Sequence, residues 1–150
     1  MKIYLCGPIE KEKDGGHGIR ANVRRHFNNQ EIEFIDPCEF DYNTDYKNST
    51  EIQKAFPQTY KPIIKRMIKG DLNGVKESDV VLAILNKNAY LGSYTEIIFA
   101  CYHDIPVILY FIDDTKYEDM HTWVKASATQ VVHSLEDLSK TIENFYKEKI

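Results

Sequence analysis

Residues 79–85, Asp-Val-Val-Leu-Ala-Ile-Leu, constrain this chain more than any other stretch. Apolar side chains follow one another over a strand's length, leaving no polar face for water. A strand of that kind is buried on both faces, as in a parallel sheet covered by helices. After it come a loop with one glycine, Gly92, and an apolar helix at 93–103. Open α/β sheets bind ligands in such places, outside the carboxyl ends of the strands and against helix N-termini. Glu96 stands at the start of that helix. Two readings of it remain open from the residues alone. Ser93 and Glu96 fit a capping box, S-x-x-E ahead of an apolar run, which satisfies free N–H groups of the first turn. Alternatively, Glu96 faces a ligand.

The rest of the chain alternates strand and helix. Residues 2–6 read as a first strand, broken at once by Gly7-Pro8. A polar loop ends in Asp14-Gly15-Gly16-His17-Gly18. A helix at 19–28 then carries Ile19, Val23 and Phe27 on one face, with Arg20, Arg24 and Arg25 off it. Residues 31–36 form a second strand stopped by Pro37. Residues 38–59 show no clean periodicity, and a long irregular stretch in a compact domain is more often functional than idle. Pro62 suits the first turn of a helix reaching residue 76, with Ile64, Met67, Ile68, Leu72 and Val75 as its buried stripe. Asp71 falls on that stripe. An inward carboxylate is costly unless it is paired or lines a polar cavity, and the alternative is a position at the stripe's edge, reaching water.

A fourth strand is expected at 106–112 and a short helix at 120–127 holding Trp123. A last strand at 130–133 leads to a final helix with Leu135, Leu138, Ile142 and Phe145 inward. This alternation predicts a single domain over 1–150, a flavodoxin-like, doubly wound three-layer α/β sandwich with a five-stranded parallel sheet.

Composition excludes several classes. A net charge of −4 and a pI near 5.7 argue against a nucleic-acid polymer or an anionic membrane as partner. No signal peptide or spanning segment is read. Cys6, Cys38 and Cys101 are an odd set without close spacing, expected as buried thiols of a reduced, cytoplasmic chain. The five histidines lack metal-ligand spacing, so neither metal nor cofactor is implied.

In a doubly wound sheet the carboxyl ends of the first and third strands are neighbours. That brings Gly7, Pro8 and Ile9 beside Asn86, Tyr90, Gly92 and Ser93, with Glu96 behind them. Tyr4 on the first strand can point to the same crevice, and Asp71 comes from the helix feeding the third. Two carboxylates and a phenol in a partly apolar cleft suit chemistry at a sugar anomeric carbon, with one carboxylate as nucleophile and an acid for the leaving group.

Three blocks, Ile3-Tyr4-Leu5-Cys6-Gly7-Pro8, Gly70-Asp71-Leu72-Asn73-Gly74-Val75 with Ser78-Asp79, and Gly92-Ser93-Tyr94-Thr95-Glu96, resemble the nucleoside 2-deoxyribosyltransferase family. Related deoxynucleoside 5′-monophosphate N-glycosidases share them. The resemblance runs from residue 2 to about residue 138 and is loose over 9–60. It implies Glu96 as the nucleophile at C1′, Tyr4 as the residue holding its carboxylate, and Asp71 as the group handling the base's proton. It also implies a homo-oligomer, a dimer or multiple of dimers, in which a neighbouring subunit completes the sugar 5′ end. The segment before Trp123 looks like that donor, with Asp119 and His121 as candidates. Asp36, Phe40 and Tyr42 are candidates for the base pocket, or else ordinary packing.

One departure from the family is informative. Transferases carry an acid six residues before the nucleophile, holding the 5′-hydroxyl, and the monophosphate glycosidases have serine there. Here it is Tyr90. Loss of that acid removes repulsion toward a phosphate, and Gly15 to Gly18 with His17 and Arg20 would supply an anion nest. The alternative is a flexible loop with a solvated arginine, and Asp119 would oppose a phosphate. The leading expectation is a transferase passing deoxyribose between nucleobases. The second is a nucleoside 5′-monophosphate N-glycosidase using the same Glu96. The third is a nucleotide-sensing module without turnover.

Overall fold

A computed structural model describes residues 1–27, 31–40 and 48–148. The strands are β1 (Lys2–Cys6), β2 (Glu33–Ile35), β3 (Val80–Leu85), β4 (Val107–Phe111) and β5 (Gln130–Val132). The helices are α1 (His17–His26), α2 (Ser49–Ala55), α3 (Tyr60–Glu77), α4 (Leu91–Tyr102), α5 (Thr122–Ser127) and α6 (Leu135–Glu148), with 3-10 turns at Pro37–Glu39 and Tyr117–Asp119. Every strand pairing is parallel, and the order is β2-β1-β3-β4-β5. This is the flavodoxin-like arrangement, and β3 lies at its centre with every residue buried.

Strand alternation sorts the core into two halves. Ile3, Leu5, Leu82, Ile84 and Ile108 point to one face, where Val23 of α1, Phe27 at its C-cap, and Leu138 and Ile142 of α6 cover them. Tyr4, Cys6, Val81, Ala83 and Leu109 point to the other, beneath Val75 of α3, Ile97 and Ala100 of α4 and Val124 of α5. Each fully buried aliphatic side chain contributes roughly 1.5–3 kcal/mol, so the two layers carry the fold. The register Cys6↔Ala83 sets the carboxyl ends of β1 and β3 side by side. Gly7 follows at that junction because a Cβ there would lie 2.9 Å from the Ile84 carbonyl oxygen.

Several expectations are corrected. The irregular stretch contains α2, capped by the Asn48 side chain accepting from Glu51 N at 3.0 Å, while Tyr42 lies outside the described residues. Ile68 does not belong to the buried stripe of α3, since it is 51% exposed. Of the three thiols only Cys6 is buried; Cys38 is partly covered and Cys101 is exposed. Among the described residues no helix is long and apolar enough to cross a membrane.

Candidate active site

Helix α4 begins at Leu91, two residues earlier than its sequence suggests, with Tyr90 at the N-cap. Ser93 is therefore the third helical residue, and Glu96 lies in the second turn. A capping box needs serine at the N-cap and glutamate three residues on, so that reading of Glu96 fails. The buried residues of α4 are Ser93, Glu96, Ile97 and Ala100, the i, i+3, i+4, i+7 stripe that faces the sheet. Glu96 is thus a core-facing carboxylate, only 8% exposed. Its partner comes from the sheet: the Tyr4 hydroxyl donates to Glu96 Oε1 at 2.8 Å.

Glycine makes room for that contact. A Cβ on Gly74 of α3 would lie 2.9 Å from Tyr4 Cε2, 3.1 Å from Phe40 Cζ and 3.2 Å from Ile35 Cγ2. The Tyr4 ring therefore rests against bare helix backbone. Cys6, two residues along the same face, donates from Sγ to the Ser93 carbonyl at 3.4 Å. Burial, then the nearby charge of Asp71, pushes the Glu96 carboxyl up to about 7, against the hydrogen bonds from Cys6 and Tyr4. Burial, then the Glu96 charge, raises both the Tyr4 hydroxyl and the Cys6 thiol well above their usual ranges. Both remain neutral donors while Glu96 titrates near neutrality. Asp71 itself is half-buried on α3, neither sealed in the core nor fully in water.

The loop between β1 and α1 is built differently from the expected anion nest. Gly15 and Gly16 do have positive φ angles of 68° and 80°. The amides are already taken, however: the Asp14 carboxylate accepts from Gly16 N at 2.9 Å and from Gly18 N at 2.8 Å. These two bonds hold the Asp14 carboxyl below its ordinary range. Arg20 is neither solvated nor turned to a ligand. It is 1% exposed and donates to the carbonyls of Leu5, Gly7, Pro8 and Gly16 at 2.9–3.3 Å. Its Nε also lies 3.4 Å from Asp36 Oδ1. Asp36 in turn pairs with Arg24 at 3.2 Å and caps the 3-10 turn by accepting from Cys38 N. Arg20 and Asp36 are therefore spent on holding loops, because a buried charge must be paired and hydrogen-bonded. His17 is exposed at the first residue of α1.

The remaining candidates divide by location. Gly7 and Pro8 are buried and give their carbonyls to Arg20, while Ile9 is half-buried and its carbonyl accepts from Glu12 N. Asn86 is half-buried between β3 and α4 and donates to Glu12 Oε1 at 2.6 Å. Tyr90 is 61% exposed with the Lys11 ammonium 4.4 Å above its ring. Gly92 is exposed with open space around it. Phe40 packs partly buried against the Tyr4 cluster. Asp119 and His121 are exposed before α5, where His121 Nδ1 accepts from Trp123 N at 3.2 Å. The structure thus brings Tyr4, Cys6, Ser93 and Glu96 into contact and leaves Asp119 and His121 on the outside.

Sequence reasoning missed Asp14, Gly74 and Glu12. Asp14 had a signal, an acid just before a Gly-Gly-x-Gly helix start; Gly74 stood in the second motif block with no role attached, and Glu12 had no signal. Two shallow cavities, of about 430 and 350 Å³, are lined by Gly18, Asn22 and Arg25 in one case and by Phe40, Gly70 and Gly74 in the other. Neither is lined by Tyr4 or Glu96. Among the described residues no group of three or more His, Cys, Asp or Glu is placed to hold a metal.

Comparison with solved structures supports the fold. A 2-deoxyribosyltransferase from Bacillus psychrosaccharolyticus superposes with a TM-score of 0.64 at 18% identity, over 92% of this chain and 90% of that one. The chain shares that enzyme's fold. A conserved protein from Enterococcus faecalis V583 superposes with a TM-score of 0.59 at 20% identity, covering 96% of this chain and 98% of that one. No family model matches the sequence, and no curated protein matches it.

Proposed function

We propose that this chain is a nucleoside 2-deoxyribosyltransferase with Glu96 as nucleophile. The observation that carries the reading is the inward Glu96 carboxyl on the Tyr4 hydroxyl. A carboxyl with a value of about 7 is partly ionised at neutral pH and, being desolvated, is a stronger nucleophile than a surface glutamate. One Glu96 oxygen attacks C1′ as the C1′–N bond breaks, and the electron pair of that bond leaves with the base. Asp71, in its protonated form, gives its proton to the departing base, which leaves neutral, and is itself left as the carboxylate. A second base then reverses the steps: its nitrogen attacks C1′, its proton returns to Asp71, and Glu96 is released. Tyr4 keeps the carboxylate oriented throughout. The substrate class is a deoxynucleoside because a 2′-hydroxyl withdraws electrons from the oxocarbenium-like transition state.

Hydrolysis of 5′-monophosphates is the weaker reading. Asp14 fills the glycine amides and Arg20 is buried, so both proposed phosphate ligands are engaged elsewhere. A homo-oligomer belongs to this proposal. The helices covering the Tyr4 face expose Ile68, Leu91, Tyr102 and Trp123 at 51%, 68%, 81% and 64%, and a second copy is the proposed cover. The protein is expected in the cytoplasm, where nucleosides and bases are exchanged.

The test is direct. Incubation with a deoxynucleoside and a second free base yields the exchanged nucleoside, and Glu96→Ala abolishes it. Exchange at the wild-type rate by Glu96→Ala would defeat the assignment. Ligand-dependent thermal stabilisation without base release would mark a sensing module instead.

A further inference from the structure

The β1–α1 loop returns a carboxylate to the mouth of the crevice by a route the sequence does not announce. Glu12 Oε1 accepts from Asn86 Nδ2 at 2.6 Å and from Asn88 Nδ2 at 3.0 Å. Asn86 in turn accepts from Asn88 N at 2.8 Å, which fixes both amides. Glu12 is half-buried, and its backbone is held by turns on both sides, to Ile9 and from Gly15. One carboxylate oxygen is thus fully engaged, whereas among the described residues Oε2 accepts nothing. A second contact joins the same two loops, the Lys11 ammonium over the Tyr90 ring. An acid gripped through one oxygen by two amides has the other oxygen to offer.

We infer that Glu12 is a specificity-determining residue, accepting the 5′-hydroxyl of an unphosphorylated nucleoside through Oε2 and repelling a 5′-phosphate. This rests on the proposed reaction at Glu96. In the proposed reaction the base lies toward Asp71 on α3, which leaves the other end of the sugar to the loops that follow β1 and β3, where Glu12 meets Asn86. A carboxylate is a strong acceptor for a hydroxyl and a like-charge neighbour for a phosphate. Nearby positive charge does not reverse the sign. Lys11 is committed to the Tyr90 face, Arg20 to backbone carbonyls, and the Gly16 and Gly18 amides to Asp14.

The experiment compares wild type, Glu12→Gln and Glu12→Asp on three substrates: a 2′-deoxynucleoside, its 5′-monophosphate and the 2′,5′-dideoxynucleoside. Wild type releases base from the nucleoside in preference to the monophosphate. In Glu12→Gln, kcat/KM for the nucleoside falls about 10- to 100-fold, the worth of a hydrogen bond to a charged group, mainly through KM. The monophosphate is turned over equally well or better, and the dideoxynucleoside is unaffected. Glu12→Asp, which keeps the charge, retains discrimination against the phosphate. A parallel fall on all three substrates in Glu12→Gln would mean that Glu12 only holds the loops, and the inference would fall. A wild-type preference for the monophosphate would overturn it as well. Wild-type failure to release base from any substrate would instead remove the reaction at Glu96, and this inference with it.

Discussion

The Tyr4 hydroxyl reaches Glu96 Oε1 at 2.8 Å across 92 residues of sequence, from the first strand to the helix after the third. It does so because Tyr4 lies on the sheet face that α3 and α4 cover, while Ile3 and Leu5 point to the opposite layer. The bond favours the ionised form of Glu96. Tyr4→Phe removes the donor and leaves the ring. Its base-exchange rate should fall about 10-fold or more, as for other hydrogen bonds to charged groups. The ascending limb of the pH–rate profile should also move to higher pH. A profile superimposable on that of wild type would show that the hydroxyl does not hold the nucleophile.

Glu96 also makes a stability prediction with a definite sign. Burial first, then Asp71, raises its carboxyl from 4.5 to about 7 in the folded chain. Between those values the native state keeps a proton that the unfolded state has lost, so stability falls as pH rises through the window. Glu96→Gln cannot ionise and escapes this loss. By urea unfolding it should be more stable than wild type above pH 7, by at most about 3 kcal/mol. The advantage should shrink toward the lower end of the window and become constant below it. A difference independent of pH would contradict the raised value.

Gly74 is where the backbone of α3 makes space for Tyr4. Gly74→Ala places a methyl 2.9 Å from the ring, with Phe40 and Ile35 closing the other sides. Overpacking of this kind costs about 1–3 kcal/mol. Exchange activity should fall as well, because the ring must tilt away from Glu96. Wild-type values of both denaturation midpoint and activity would show that the contact relaxes freely.

Arg20 is a structural cation. Arg20→Leu removes its bonds to loop carbonyls and leaves Asp36 with Arg24 alone. Breaking a buried ion pair from one side costs about 3–5 kcal/mol, and that loss should appear in urea unfolding. Inorganic phosphate should not stabilise wild type, since no Arg20 donor faces solvent. Phosphate-dependent stabilisation that Arg20→Leu abolishes would restore the anion-site reading.

The exposed aromatic side chains of α4 and α5 test the proposed assembly. Sedimentation should find wild type as a dimer or a multiple of dimers. Tyr102→Glu, at a site 81% exposed, should shift it toward monomer. A wild-type monomer at micromolar concentration would remove the shared-site proposal.

Local pattern explains why much was legible beforehand. The apolar run at 80–85 can only be a covered central strand, and its alternation with amphipathic segments gives the layer order without long-range information. The helix start at Leu91 was read two residues late, because Ser93 and Glu96 carry the spacing of a cap. Chain direction into the helix decided otherwise. With Tyr90 at the N-cap, the same Glu96 rotates from the first turn onto the stripe facing Tyr4. Local pattern offers Arg20 as an anion ligand or a solvated arginine, since an arginine off the apolar stripe normally reaches water, and the structure shows neither. Here the loop after β1 folds over it and supplies carbonyls.

By itself the sequence determined the elements other than α2, the parallel sheet, and a short set of residues, Tyr4, Asp71 and Glu96, whose types suit glycosyl chemistry. These follow from periodicity and residue type, which act over a few positions of chain. The tertiary structure alone decided which charges are spent. Arg20 and Asp36 resemble ligand-binding groups in one dimension and are engaged by each other and by partners from other segments. Glu12 resembles an ordinary loop acid and is instead fixed on Asn86 and Asn88. Whether a polar group is satisfied depends on what the fold sets within hydrogen-bonding distance of it, and no local spacing encodes that distance.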